Sequence, residues 1–121
     1  MKRLLLLTLL LPLAAFSTGL LLISLMLPLV AFAADADFKL VIDDHRFQPA
    51  ELTIPSGTKI KLVIENHDAT PEEFDSHPLN REKTIAGHST ATIYIGPLAP
   101  GRYTFTGEFH SDTALGVIIA Q

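Results

Sequence analysis

The pattern of hydrophobic and polar positions divides the chain into two parts. Residues 4–34 contain no charged side chain and are dominated by leucine. From residue 37 onward, apolar and polar residues alternate with a period close to two. Successive side chains of a strand point to opposite faces of a sheet, so this period predicts strands that are buried on one face. We therefore expect a hydrophobic leader followed by an all-β domain, with no segment of helical period.

The alternation in the second part predicts seven or eight short strands. The clearest lie at residues 38–42, 51–54, 59–66, 82–86, 90–95, 103–106 and 115–120. Turns rich in glycine and proline separate them, and Phe47–Pro49 is predicted to be a bend. The segment His67–Pro78 is rich in acidic residues, proline and histidine, so we expect a loop with a short extended piece. Short strands at regular spacing are typical of a sandwich or barrel.

The first part has the features of an export signal. Lys2 and Arg3 precede the apolar run, which ends in Ala31-Phe32-Ala33-Ala34. These are the parts of a secretory signal peptide with a small-residue cleavage site. The run is longer than the roughly 7–15 apolar residues of a signal core, and about 20 suffice to span a bilayer. Residues 1–34 are therefore predicted to be a signal peptide or an N-terminal membrane anchor. In both cases residues 35–121 form one exported, periplasmic domain.

The composition disfavours several functional classes. The 121 residues include no cysteine, so neither disulfides nor thiolate ligands are available. The 13 acidic and 9 basic residues give a net charge of −4, which disfavours a nucleic-acid partner. The chain has no G-x-S-x-G motif and no glycine-rich phosphate loop, so we predict that it is not an enzyme.

Three segments together resemble the cupredoxin family. They are Phe47-x-Pro49 with the following strand that ends Ile54-Pro55-x-Gly57, the strand ending Glu65-Asn66, and the G-x-Y-x-F pattern that starts at Gly101. The resemblance implies a Greek-key β-sandwich with metal ligands in two loops at one end.

The resemblance also assigns family ligand positions to residues of this chain. The family's cysteine falls at Gly107, its two histidines at Glu72 or Glu73 and at His110, and its axial methionine near Leu115. A blue-copper centre needs two histidines and a cysteine thiolate. Since no cysteine is present, a blue-copper electron carrier is excluded for the chain acting alone.

A closer resemblance is to the cupredoxin-like proteins and domains of bacterial periplasmic iron uptake. It is carried by the strings ENHDATPEEFDS, LNREKTIAG, IGPLAPGRYTFTGEFH and TALGV and covers nearly all of residues 37–121. In that family, carboxylates and histidine stand where blue-copper proteins have histidine and cysteine. This implies a bound iron or copper ion. It also implies a membrane iron permease or a periplasmic redox protein as partner.

The candidate metal ligands are Glu72, Glu73, Glu108 and His110. If Phe74 points inward, alternation places Glu73 on the other face, although turn geometry could instead direct Glu72 to the site. Glu108 and His110 are two residues apart, so both point the same way if the strand persists. Carboxylate and imidazole donors suit iron, Cu(II) or zinc.

The remaining histidines are less informative. His67 and His77 flank the acidic segment and could supplement a site, whereas His45 and His88 lie near turns and are predicted to be exposed. The alternative function is a metal-free β-sandwich that docks a membrane or periplasmic partner. Contact with the membrane itself requires that the leader is retained.

Overall fold

The computed structural model describes residues 37–121, which form a β-sandwich. The predicted leader, residues 1–34, lies outside the described residues, so its role as a signal peptide or anchor stays a prediction. The strands of the described part are β1 (Asp37–Asp43), β2 (Arg46–Gln48), β3 (Glu51–Ile54), β4 (Ile60–Asn66), β5 (Glu72–Ser76), β6 (Arg81–Ile85), β7 (Thr90–Ile95), β8 (Gly101–Gly107) and β9 (Leu115–Ala120). A single 3₁₀ turn, Glu108–His110, follows β8. The predicted all-β class is confirmed.

The strands form two sheets. One has the order β2-β1-β4-β7 and the other the order β3-β9-β8-β5-β6. The pairs β1–β4 and β3–β9 are parallel and the remaining pairs are antiparallel. Neighbouring strands in both sheets are often distant in sequence, so the chain crosses repeatedly between the sheets. In the part of the chain that the structure describes, no helix is long and apolar enough to cross a membrane.

The inner faces of both sheets form one hydrophobic core. Phe47, Phe74 and Phe105 form an aromatic cluster within it. Phe74 stacks on Phe105 at 5.0 Å, and Phe47 meets Phe105 edge-on at 4.9 Å. Each buried aromatic side chain stabilises the fold by about 1.5–3 kcal/mol relative to exposure. Because Phe74 lies opposite Gly107 in the β5–β8 pair, the cluster supports the end of the sandwich where the candidate ligands lie.

Strand β5 is the main departure from the predicted elements. Its five residues alternate between buried and half-buried positions, and it pairs with β6 and β8. Two of its three buried residues, Glu72 and Ser76, are polar, so the strand lacks the alternation of apolar and polar residues that predicts a strand. Ser76 is satisfied in the core because its hydroxyl donates to the Thr104 carbonyl at 2.8 Å. The sequence therefore indicated only a short extended piece where a full strand lies at the centre of the site.

Candidate metal centre

Glu72 is a buried carboxylate at the start of β5. It is 1% exposed, because it alternates with Glu73 and shares the inner face of the strand with Phe74. Its Oε1 accepts the backbone N–H groups of Glu73 and Phe109, both at 3.0 Å. Its Oε2 lies 2.5 Å from Nδ1 of His110. These three partners offset the cost of removing the carboxylate from water.

His110 reaches Glu72 because β8 ends at Gly107. The chain then makes a 3₁₀ turn, and the His110 carbonyl accepts the N–H groups of Thr113 at 3.1 Å and Ala114 at 2.8 Å. The turn directs the His110 imidazole towards Glu72 at the start of β5, and the His110 side chain remains 27% exposed. His110 therefore joins a buried carboxylate to the surface.

His45 approaches the same place from the other sheet. It lies in the tight turn between β1 and β2, where Asp44 and His45 have φ values of 50° and 56°. Two successive left-handed residues are typical of a type I′ hairpin turn, and aspartate and histidine tolerate this conformation better than most residues. Thr113 Oγ1 donates to the His45 carbonyl at 2.8 Å, so the turn is tied to the segment that follows His110.

Together His45, Glu72 and His110 form a group that could hold a metal ion. Each offers one ligand atom, and these atoms lie within 4.8 Å of one another. The His45 and His110 rings stack with centroids 3.6 Å apart and planes 16° from parallel. His45 Nδ1 is buried and lacks a hydrogen-bond partner among the described residues. Two imidazoles and a carboxylate fit Cu(II), zinc or iron.

The stacked rings do not yet point at one ion. An imidazole nitrogen binds a metal along its lone pair, which lies in the plane of the ring. Two nearly parallel rings 3.6 Å apart cannot both direct their lone pairs at one point. At least one ring must therefore rotate before both histidines bind the same ion.

The electrostatics of the site are set by a second carboxylate, Asp68. Its burial would raise its pKa, but the N–H groups of His45 and Asp44 and the nearby His45 and His110 imidazoles outweigh this effect, so the pKa of Asp68 is lowered. The Asp68 side chain is only 15% exposed. A negative charge thus stands beside the histidines, which favours a bound cation.

Comparison with known proteins fits this architecture. The family model described as a cupredoxin-like domain matches residues 7–120. The chain belongs to the cupredoxin-like domain family. This cupredoxin-like domain is also 48% identical over 85 residues to an uncharacterised protein of Rickettsia prowazekii (strain Madrid E), a match that covers 70% of this chain and 68% of the relative.

Solved structures similar to this cupredoxin-like domain include copper proteins. One is the purple cupredoxin of Nitrosopumilus maritimus, with a TM-score of 0.54 and 18% identity, covering 70% of this chain and all of that one. Another is auracyanin A, a "blue" copper protein of Chloroflexus aurantiacus, with a TM-score of 0.62 and 13% identity, covering 73% and 100% of the two chains. At these identities the likenesses show the fold.

Gly107, the position of the family's cysteine in the resemblance above, lies against Glu72. A Cβ atom built on Gly107 would lie 2.7 Å from Cδ of Glu72 and 2.6 Å from Cβ of Ala114. Both distances are shorter than van der Waals contact. The Glu72 carboxylate therefore fills the space that a side chain at position 107 would need, and this cupredoxin-like domain has an oxygen donor there.

The structure brings together two of the four ligands predicted from sequence, Glu72 and His110. Glu73 is half-buried on the opposite face of β5, as alternation from Phe74 predicted. Glu108 is exposed in the 3₁₀ turn. Glu108 and His110 would point the same way only in a continuing strand, but the strand ends at Gly107. In the described part of the chain, neither Glu73 nor Glu108 belongs to the group of three.

Glu73 belongs instead to an acidic surface on the outer face of the sheet. Partial burial, followed by the charges of Glu82, Asp75 and Glu108, raises its pKa above the ordinary value. His67 contacts Glu65 at 3.1 Å, and His77 is exposed after β5. Neither histidine is part of the group around Glu72.

His45 is the site residue that sequence reasoning missed. The sequence predicts it to lie near a turn and to be exposed, with no role in a site. In the structure its side chain is 40% exposed, but its ring stacks on His110. The available signal was an Asp-Asp-His turn between two apolar strands, which favours a tight hairpin but does not reveal what the hairpin contacts.

Proposed function

We propose that this cupredoxin-like domain is an exported periplasmic protein that binds one transition-metal ion through His45, Glu72 and His110. It serves as an accessory of metal uptake, with iron or copper as its cargo, and it is not a blue-copper electron carrier. The observation that carries the proposal is the convergence of three ligand atoms within 4.8 Å at one end of the sandwich.

The donor set supports a choice among metals. Two imidazoles and one carboxylate are the protein ligands of many non-haem iron(II) sites, and the same donors suit Cu(II) and zinc. Neither a thiolate nor a methionine of residues 37–121 is available for Cu(I), because the sequence has no cysteine and both its methionines, Met1 and Met26, lie in the leader. The site therefore favours harder ions than the copper site of a blue-copper protein.

The Glu72–His110 contact controls how an ion enters. In the structure these groups share a hydrogen bond, so one proton lies between Oε2 and Nδ1. A ligating nitrogen must be deprotonated, so an ion that binds Nδ1 and Oε2 displaces this proton, which the neutral imidazole then carries on Nε2. The partial exposure of both histidines leaves a route for delivery and removal of the ion.

The proposed location and partner rest on the leader and on the iron-uptake resemblance. A basic start, an apolar run and an A-x-A site support export across a membrane, with cleavage or retention of residues 1–34. The resemblance to proteins found beside iron permeases supports a membrane permease or a periplasmic redox protein as partner.

The proposal is tested by calorimetric titration of the exported protein, expressed with its own leader, with Fe(III), Cu(II) and Zn(II). We expect one ion per chain for at least one metal, and at least a tenfold loss of affinity in His45→Ala and in His110→Ala. Glu73→Gln and His88→Ala are the matched controls and should bind as the wild type does. Binding no tighter than millimolar, or binding unchanged by His110→Ala, would refute the proposal.

A second candidate function, a metal-free docking module, is favoured by one observation. The Glu72 carboxylate accepts hydrogen bonds from the N–H groups of Glu73 and Phe109 and pairs with His110, so Glu72 can serve purely to tie β5 to the 3₁₀ turn. This alternative predicts that metal ions leave the unfolding temperature unchanged.

A further inference from the structure

Asp68 contacts His45 at both its backbone and its ring. Its Oδ2 accepts the His45 backbone N–H at 3.0 Å, and its Oδ1 accepts that of Asp44 at 2.8 Å. The same Oδ2 lies 3.5 Å from Nδ1 of the His45 ring. The carboxylate thus holds the left-handed turn and also faces the imidazole that the turn presents.

The ring nitrogen that faces Asp68 needs a partner. Nδ1 of His45 is buried and makes no hydrogen bond within residues 37–121. Buried polar atoms are nearly always hydrogen-bonded in native proteins, and Asp68 Oδ2 is an acceptor within reach. A small rotation of the His45 ring would shorten the 3.5 Å distance between Nδ1 and Asp68 Oδ2. The same rotation changes the stack on His110, which must open before both rings bind one ion.

Asp68 is itself held firmly. Its N–H donates to Oδ1 of Asn66 at 3.0 Å. Asn66 is 2% exposed, and its amide donates to the carbonyls of Thr70 at 2.8 Å and Ile85 at 3.2 Å. The backbone of Asp68 is therefore held by the buried end of β4, independently of His45.

We propose that Asp68 is the positioning residue of His45: its carboxylate accepts the Nδ1–H, fixes the tautomer of the ring and leaves the Nε2 lone pair for a metal ion. This inference rests on the proposed metal-binding function. Histidine ligands commonly donate their second N–H to a carboxylate, which sets the ring orientation and raises the basicity of the ligating nitrogen. The pairing here joins two loops of the sandwich.

The test is nitrogen-resolved NMR of the imidazoles in the full protein at mildly alkaline pH, first without metal and then with Zn(II). We expect His45 to be the Nδ1–H tautomer in the wild type. Asp68→Asn presents an amide donor to Nδ1, so the tautomer should change to Nε2–H. The Zn(II) dissociation constant should rise about 10- to 100-fold in this variant.

Thr113→Val is the matched control. It removes the hydrogen bond that Thr113 donates to the His45 carbonyl and keeps the size of the side chain. If Asp68 only held the turn, both variants would affect His45 alike; positioning predicts that Thr113→Val keeps the Nδ1–H tautomer.

Two results would overturn the inference. One is an Nε2–H tautomer of His45 in the wild type, which is decisive even if Asp68→Asn does not fold. The other is an Asp68→Asn variant that binds Zn(II) as tightly as the wild type. A wild type that binds no metal overturns the proposed function instead. The tautomer of the metal-free protein still decides whether Asp68 orients His45.

Discussion

At the scale of single residues, Gly107 and Glu72 occupy one space. The backbone of Gly107 is buried beside the Glu72 carboxylate, and a Cβ there would come within 2.9 Å of Oε1. A side chain at position 107 and a buried glutamate at position 72 are thus mutually exclusive without movement. A residue larger than glycine at position 107 therefore requires the Glu72 carboxylate to move.

Gly107→Ala is expected to destabilise the fold by about 1–3 kcal/mol, because the added methyl group overpacks the contacts with Glu72 and Ala114. Urea unfolding measures the change. Gly101→Ala is the control, since its added carbon would meet the Tyr103 ring at 3.6 Å, an ordinary contact. Equal stability of Gly107→Ala and the wild type would show that Glu72 does not need this space.

At the scale of elements, β5 separates two sets of side chains by alternation alone. Glu72, Phe74 and Ser76 point into the sandwich, while Glu73 and Asp75 stand on the outer face. One glutamate of the adjacent pair therefore belongs to the candidate site and the other to an acidic surface. Sequence alternation from Phe74 predicts this separation, but it does not predict that the inward glutamate finds three hydrogen-bond partners.

Glu73→Gln is expected to stabilise the protein at neutral pH. The pKa of Glu73 is raised in the fold, by partial burial and then by Glu82, Asp75 and Glu108, so its ionised form is disfavoured there. The resulting penalty is present when the pH is above the folded pKa and disappears as the pH falls below the ordinary value.

Urea unfolding at neutral and at acidic pH measures this difference. Glu51→Gln is the control, because the Glu51 carboxylate stands 3.4 Å from the Arg102 guanidinium, a favourable partner for its ionised form. A Glu73→Gln variant that is no more stable than the wild type at neutral pH would contradict the assignment.

At the scale of the whole molecule, the candidate site joins the two sheets. His45 comes from the β1–β2 turn of the four-stranded sheet, whereas Glu72 and His110 come from the five-stranded sheet and the turn that follows it. An ion held by all three ties the sheets together without a disulfide, which this cysteine-free chain cannot form. If the proposed site binds an ion, that ion therefore adds to global stability.

Zn(II) at 100 times its dissociation constant is expected to raise the free energy of unfolding by about 2.7 kcal/mol, because the ion binds only the native state. Thermal or urea unfolding with and without the ion measures this. His45→Ala removes the ligand from one sheet and should remove most of the gain, while His88→Ala should keep it. Unchanged stability of the wild type would favour the metal-free docking module.

The sequence by itself determined the strand-rich class and excluded one chemistry. Alternation is set by neighbouring residues, so β1, β3, β4, β7 and β9 follow from it closely. The lack of cysteine rules out a thiolate whatever the fold. Resemblance to the cupredoxin family, and not spacing, indicated the Glu72-Glu73 pair and His110 as ligand positions. The family match confirms the cupredoxin-like family.

Only the tertiary structure decided which side chains meet. His45 reaches His110 through a left-handed turn in the opposite sheet, and no local pattern encodes a contact between two turns so far apart in the chain. Glu108 was separated from His110 because a 3₁₀ turn replaced the expected strand. Local periodicity specifies the direction of each side chain within a strand, whereas the site depends on strand order, strand ends and turn geometry.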